Sequence, residues 1–177
     1  MIFNETTLKG AFVLDLEKRE DDRGFFSRTF CVHEFEEYGL VSRFVQGNMS
    51  KTKKKNTLRG MHYQTDGAEE VKLVRCTKGA ILDVIIDVRR DSSTFGKHFS
   101  VELSEDNHKQ IYIPKGFAHG FLTLTDNSEV AYLVSEFYAP GKEKGIRWND
   151  PFFNIDWPTK QPSMSQKDAE YEDFLMD

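Results

Sequence analysis

The chain has 177 residues, enough for a single domain over residues 1–177 with a substantial core. Charged residues make up 30% of it and the formal net charge is −5, which argues against a nucleic-acid partner, for which a basic stripe is expected. No apolar run approaches the roughly 18 residues of a membrane span, so no membrane contact is expected.

Met1 to Glu5 lacks a basic region followed by an apolar run, so no signal peptide is expected and the protein is placed in the cytoplasm. Ala11 to Leu16 reads as a strand, Asp21-Asp22-Arg23-Gly24 as a turn, and Phe25 to Phe30 as a second strand. Val32 to Tyr38 carries Phe35 and Tyr38 at helical spacing before Gly39, which predicts a short helix. Phe44 to Asn48 returns to extended chain. The run Lys51, Lys53, Lys54 and Lys55 predicts a solvated loop, with a phosphate-gathering patch as the alternative. The two cysteines, Cys31 and Cys76, stand in no metal-type spacing and are expected to be reduced.

From residue 58 onward the pattern is strand after strand: Val71–Cys76, Ala80–Arg89, His98–Leu103, Gln110–Ile113, Phe121–Leu124 and Val130–Tyr138. Lys78-Gly79, Asp91-Ser92-Ser93, Ser104–Asn107 and Asp126-Asn127 separate them as turns. Short strands at this spacing predict an all-β sandwich or barrel. Ser165 to Phe174 predicts a terminal helix with Ser165 as N-cap and Asp168 three residues on.

Two stretches carry candidate chemistry. Thr57-Leu58-Arg59-Gly60-Met61-His62-Tyr63-Gln64 sets a cationic fork for phosphate or carboxylate beside an imidazole able to move protons near neutral pH. Arg59 and His62 differ by three, so a regular strand points them to opposite faces; both reach one pocket only if Gly60 marks a bulge. Pro114-Lys115-Gly116-Phe117-Ala118-His119-Gly120 has the spacing of the second motif of cupin barrels. In the place of the first motif stands His62-Tyr63-Gln64, with one histidine only. Two histidines without a third nitrogen make a poor transition-metal site, so no metal is expected.

The chain resembles the cupin-type dTDP-4-dehydrorhamnose 3,5-epimerase family. The matching residues are Asp22-Arg23-Gly24-Phe25-Phe26, Gln46, Asn48, Leu58 to Gln64, Lys72, Gly116 to Phe121, Tyr132, Tyr138, the Gly145–Pro151 segment and Asp168. The resemblance implies a cupin jelly-roll barrel with a few short peripheral helices, and a homodimer through exchanged or shared sheet edges. It implies a nucleotide-diphospho-4-keto-sugar substrate of the dTDP-4-keto-6-deoxyglucose type and no cofactor, because the ketone is itself the electron sink.

The implied roles suit the chemistry of epimerisation beside a ketone, which needs a base, a group to hold the enolate oxygen and an acid on the opposite face. His62 is the expected base, oriented by Asp168; Lys72 holds the enolate oxygen; Tyr132 is the acid. The expected substrate-binding residues are Arg23, Arg28, Gln46, Asn48, Arg59, Lys72, His119, Tyr138 and Glu143. If Tyr132 and Tyr138 share one strand, they face the same way about 20 Å apart and can touch opposite ends of one nucleotide sugar.

The alternatives are two rings of a hydrophobic face, and for Asp168 a helix-capping acid. Better-known members carry Glu where this chain has Arg28, which leaves open another nucleotide, such as a GDP-linked heptose. Rival activities are a sugar keto-isomerase, a non-catalytic sugar-binding barrel and a metal oxygenase.

Overall fold

The computed structural model describes residues 1–175. In chain order the elements are β1 (Ile2–Glu5), β2 (Phe12–Asp15), β3 (Arg19–Asp21), β4 (Gly24–Phe26), α1 (Val32–Glu37), β5 (Gln46–Thr52), β6 (Leu58–Gln64) and β7 (Lys72–Lys78). There follow β8 (Ala80–Asp87), β9 (His98–Ser104), β10 (Gln110–Ile113), β11 (Phe117–Thr123), β12 (Ser128–Val134), β13 (Glu143–Gly145) and α2 (Gln166–Ala169). They form a six-stranded sheet ordered β1-β2-β10-β7-β12-β5, a five-stranded sheet ordered β13-β6-β11-β8-β9, and the separate β3–β4 hairpin.

The expectation of all-β structure with short helices holds, but the barrel does not. Among the described residues each sheet is open: β1 and β5 are the edges of the first, β13 and β9 of the second. The expected cupin jelly-roll barrel is therefore corrected to two open antiparallel sheets packed on one another. Strand alternation reports only that one face is buried, and that is true of a closed and an open sheet alike.

The core between the sheets joins Val74, Cys76 and Val130 of the first to Ile81, Ile85, Leu103, Phe117 and Phe121 of the second. The opposite face of the five-stranded sheet is also covered. Leu58, Val84, Ile86, Ala118 and Leu122 pack there against Ile146, Phe153 and Trp157 from the C-terminal segment. Burial on both faces explains why β8 reads as a near-continuous aliphatic run. The other face of the six-stranded sheet carries Phe35 of α1 with Phe3, Phe30, Phe44 and Tyr112.

Several boundaries differ from expectation. β5 runs on through Lys51 to Thr52, so the lysine loop begins only at Lys53. β4 ends at Phe26, well short of Phe30. β11 starts at Phe117 and takes His119 into a strand. β12 ends at Val134, leaving Tyr138 outside it. The terminal helix shrinks to Gln166–Ala169, because Tyr171 turns its ring onto Gly145 and Phe174 packs among Phe95, Phe152 and Phe153. Among the described residues no helix is long and apolar enough to cross a membrane. Cys31 and Cys76 are both free thiols.

Candidate active site

The site lies where β6, β11 and β13 of one sheet face β5, β7 and β12 of the other. Its first requirement is met at Gly60. Along β11 and β6, His119 pairs with His62 and Phe121 with Arg59, so two steps on β11 match three on β6. That extra residue is a bulge, and it brings Arg59 and His62 onto the same face. Gly60 has φ +121, and a Cβ there would lie 2.5 Å from Gly120 Cα and 2.7 Å from the His119 carbonyl oxygen. Gly120 is equally crowded, with Met61 Sδ 2.6 Å from its own would-be Cβ. Only a pair of glycines lets the two backbones approach this closely.

The second requirement is a carboxylate for His62. The C-terminal segment crosses the outside of the five-stranded sheet and is fastened to β6 where Ser163 bridges Thr57. Ser165 then caps α2, its Oγ accepting from the Asp168 backbone N–H at 3.1 Å. The Asp168 carboxylate does not return to the cap. Its Oδ1 lies 2.7 Å from His62 Nε2, and its Oδ2 accepts from the Gly60 N–H at 3.4 Å. The capping alternative thus accounts for Asp168's backbone and not for its side chain. With Nε2–H donating to Asp168, Nδ1 of His62 is the nitrogen that carries a lone pair.

His119, opposite His62, has a carboxylate of its own: its Nε2 lies 2.9 Å from Oδ2 of Asp83, which is fully buried on the core-facing side of β8. Each imidazole is thereby engaged by a separate acid, and among the described residues no cluster of three metal-ligating side chains occurs.

The facing sheet supplies Lys72 and Tyr132. Lys72 continues the row of Val74 and Cys76, so an ammonium stands where the core face opens to the cleft. Its Nζ is 3.1 Å from Glu70 Oε1. Tyr132 follows Val130 on the same face of β12 and pairs with Asn48 of β5. Burial pushes its phenol above the usual tyrosine range; Glu70 and Glu143 add to this and Arg59 opposes it.

Two lobes meet at His62, Lys72 and Tyr132. The larger, of about 790 Å³, is also lined by Lys51, Arg59, His119, Phe121, Lys167 and Asp168. The smaller, of about 280 Å³, is lined by Gln46, Asn48, Gln64, Glu70, Tyr138 and Glu143. Arg59 spans the sheets, its Nε donating to Thr52 Oγ1 at 3.0 Å. Gln46 holds the loop after β12 by accepting from the Tyr138 N–H at 3.0 Å, and Tyr138 is 60% exposed, its ring open to stacking. Tyr132 and Tyr138 thus line one lobe together, and the same-strand argument for their separation does not apply.

Arg23 and Arg28 are not brought to this cleft. Arg23 sits in the β3–β4 turn, paired with Asp21 at 2.6 Å, and Arg28 pairs with Glu34 of α1 at 2.7 Å. Lys167, Phe121, Glu70 and Asp83 also belong to the site, beyond the residues expected from the sequence. Asp83 had a signal, since with Asp87 it breaks the aliphatic run of β8. Lys167, ion-paired with Glu143, had none.

Known proteins match this chain over nearly its whole length. The family model for dTDP-4-dehydrorhamnose 3,5-epimerase matches residues 5–175. A dTDP-4-dehydrorhamnose 3,5-epimerase of Shigella flexneri is 42% identical over 172 residues, covering 97% of this chain and 94% of its own. The crystal structure of such an epimerase from Bacillus anthracis, with TDP and PPi bound, superposes with a TM-score of 0.94 at 39% identity, covering 98% of this chain and 99% of that one. A dTDP-6-deoxy-D-glucose-3,5-epimerase from Legionella pneumophila, in complex with dTDP-4-keto-L-rhamnose, superposes with a TM-score of 0.90 at 39% identity, covering 96% and 90%.

Proposed function

The chain belongs to the dTDP-4-dehydrorhamnose 3,5-epimerase family, and we propose that it inverts C3 and C5 of a dTDP-4-keto-6-deoxyglucose-type sugar without a cofactor. The observation that carries the reading is the opposition of His62, backed by Asp168 at 2.7 Å, to Lys72 and Tyr132 on the facing sheet, all four around one cleft. It is supported by relatives crystallised with TDP and PPi and with dTDP-4-keto-L-rhamnose.

His62 removes the proton on the carbon beside the ketone and becomes an imidazolium, which Asp168 stabilises. The bond electrons pass to the ketone oxygen, and the Lys72 ammonium holds the resulting enolate. Tyr132 returns a proton from the opposite face. Solvent then takes the proton from His62 and resupplies Tyr132, resetting the site. The sugar's own carbonyl accepts and returns the electron pair, so no redox group enters the balance. For the second carbon the ring turns in the larger lobe and the same residues act again. Arg59 and His119 hold the substrate near the chemistry, Gln46, Asn48 and Glu143 hold it beyond, and Tyr138 stacks on the base.

Residues 1–177 act as one domain in this reading, and the protein works as a homodimer. Arg23 and Arg28 lie off the cleft of their own chain, on and beside an exposed hairpin. A hairpin reaching the cleft of a second copy brings Arg23 to the substrate. The two free thiols suit the reducing cytoplasm.

The test is incubation with the 4-keto sugar nucleotide in heavy water, followed by NMR. Deuterium at C3 and C5 with the ketone retained at C4 supports the reading. A migrated ketone indicates a keto-isomerase, and binding without exchange indicates a non-catalytic sugar-binding protein.

A further inference from the structure

We propose that Glu70 is a positioning residue of this reaction, holding the Lys72 ammonium at the enolate site and tying it to the loop that carries Tyr138. The inference rests on the function proposed above. A lysine reaches its target on a flexible four-carbon stem, so an ammonium that must meet one developing oxyanion needs an anchor on its other side. Glu70 provides it: Oε1 lies 3.1 Å from Lys72 Nζ, with only 12% of the lysine side chain and 11% of the glutamate side chain exposed.

The carboxylate is itself held on its other oxygen. Its Oε2 accepts from Gln64 Nε2. The Gln64 carboxamide also donates to the Ala68 carbonyl at 3.0 Å and accepts from the Ala139 N–H at 2.8 Å. The backbone next to Glu70 is pinned as well. Val71 N–H donates to Ser135 Oγ at 2.8 Å, and Ser135 N–H donates back to the Val71 carbonyl at 3.0 Å. Gln64 and Ser135 thus link both ends of the Ser135–Ala139 loop to the residue that aims Lys72.

The charge of Glu70 also reaches the acid. Burial does most to hold the Tyr132 proton on; Glu70 and Glu143 add to it and Arg59 opposes it, while His62 and Lys72 complete the wall around the phenol. This gives a readout that needs no turnover.

The experiment uses Glu70→Gln, which keeps the shape and removes the charge, and Glu70→Asp, which keeps the charge and withdraws it by one methylene. A misplacement of about 1 Å can cost about 10²-fold in rate, so kcat is expected to fall roughly 10- to 100-fold in both variants with KM little changed. In substrate-free protein the Tyr132 phenol is followed by ultraviolet absorbance against a matched Tyr132→Phe protein. Its titration should move to lower pH in Glu70→Gln and stay near the wild-type position in Glu70→Asp.

Wild-type kcat in Glu70→Gln, or full rate in Glu70→Asp, overturns the positioning role. An unmoved Tyr132 titration in Glu70→Gln overturns the placement of the charge. Failure of the wild-type protein to exchange solvent deuterium counts against the proposed function instead, and the phenol titration still decides where the Glu70 charge acts.

Discussion

His62 and Asp168 stand 106 residues apart in the chain and 2.7 Å apart in the fold. The contact exists because the C-terminal segment packs on the outside of the five-stranded sheet, bridges Thr57 through Ser163, and only then turns into α2. Asp168→Asn keeps the size and removes the charge that orients and stabilises the imidazolium. The expected result is a fall in kcat of about 10²- to 10⁴-fold, with ligand affinity and far-ultraviolet circular dichroism close to wild type. A loss below about tenfold would mean that the carboxylate does not support the base.

Gly60→Ala attacks the bulge itself. The new methyl meets backbone atoms of Gly120 and His119 at 2.5 and 2.7 Å, at a φ of +121 that alanine rarely adopts. Neither neighbour is the end of a flexible side chain, so β6 must move. The expected cost is of the order of 1–3 kcal/mol or more, read as a lowered urea midpoint. Activity should fall further than stability alone explains, because Arg59 and His62 then no longer share a face.

Asp87 predicts an acid limb of stability. Burial pushes its carboxyl up, but hydrogen bonds from Arg89, Ser92 and Thr94 outweigh it and bring the pKa down to about 2, against 3.8 for the free group. A folded-state value below the unfolded one means stabilisation present above about pH 4 and lost as the pH falls towards 2. The shift corresponds to about 2 kcal/mol. Asp87→Asn should therefore destabilise the protein at pH 7 and lose most of that effect by pH 2, measured by chemical unfolding at each pH.

The proposed homodimer is tested by complementation. If the hairpin of one copy completes the cleft of the other, His62→Asn and Arg23→Ala damage different halves of one shared site. Each variant alone should be slow at low substrate concentration, and mixing them with subunit exchange should restore turnover. No restoration, with exchange verified, contradicts a shared site.

Much of this was legible in the sequence. Alternating runs bounded by Gly79 and by Ser104–Asn107 marked β7 to β10, and the Arg59–His62 spacing called for a bulge that the backbone contains. Sheet closure was not legible, since alternation records burial and not what an edge strand meets. Tyr138 does not continue the strand that its spacing predicts, because β12 is followed by a loop held by Gln46 and Gln64, two partners distant in sequence. The terminal helix is shorter than its spacing predicts, because Tyr171 and Phe174 are claimed by tertiary contacts instead. Glu70 gave no signal, because its meaning depends on Lys72 and Gln64 closing around it.

In the proposed reaction protons leave and return on opposite faces, His62 serving one and Tyr132 the other. Tyr132→Phe separates the two, because the ring is kept and only the hydroxyl is lost. In heavy water, NMR gives the ratio of deuterium exchange in recovered substrate to formation of inverted product, for variant and wild type. Exchange through His62 should persist while inversion slows by about 10²-fold or more, so the ratio rises steeply. An unchanged ratio would make Tyr132 a wall of the cleft, with the acid elsewhere.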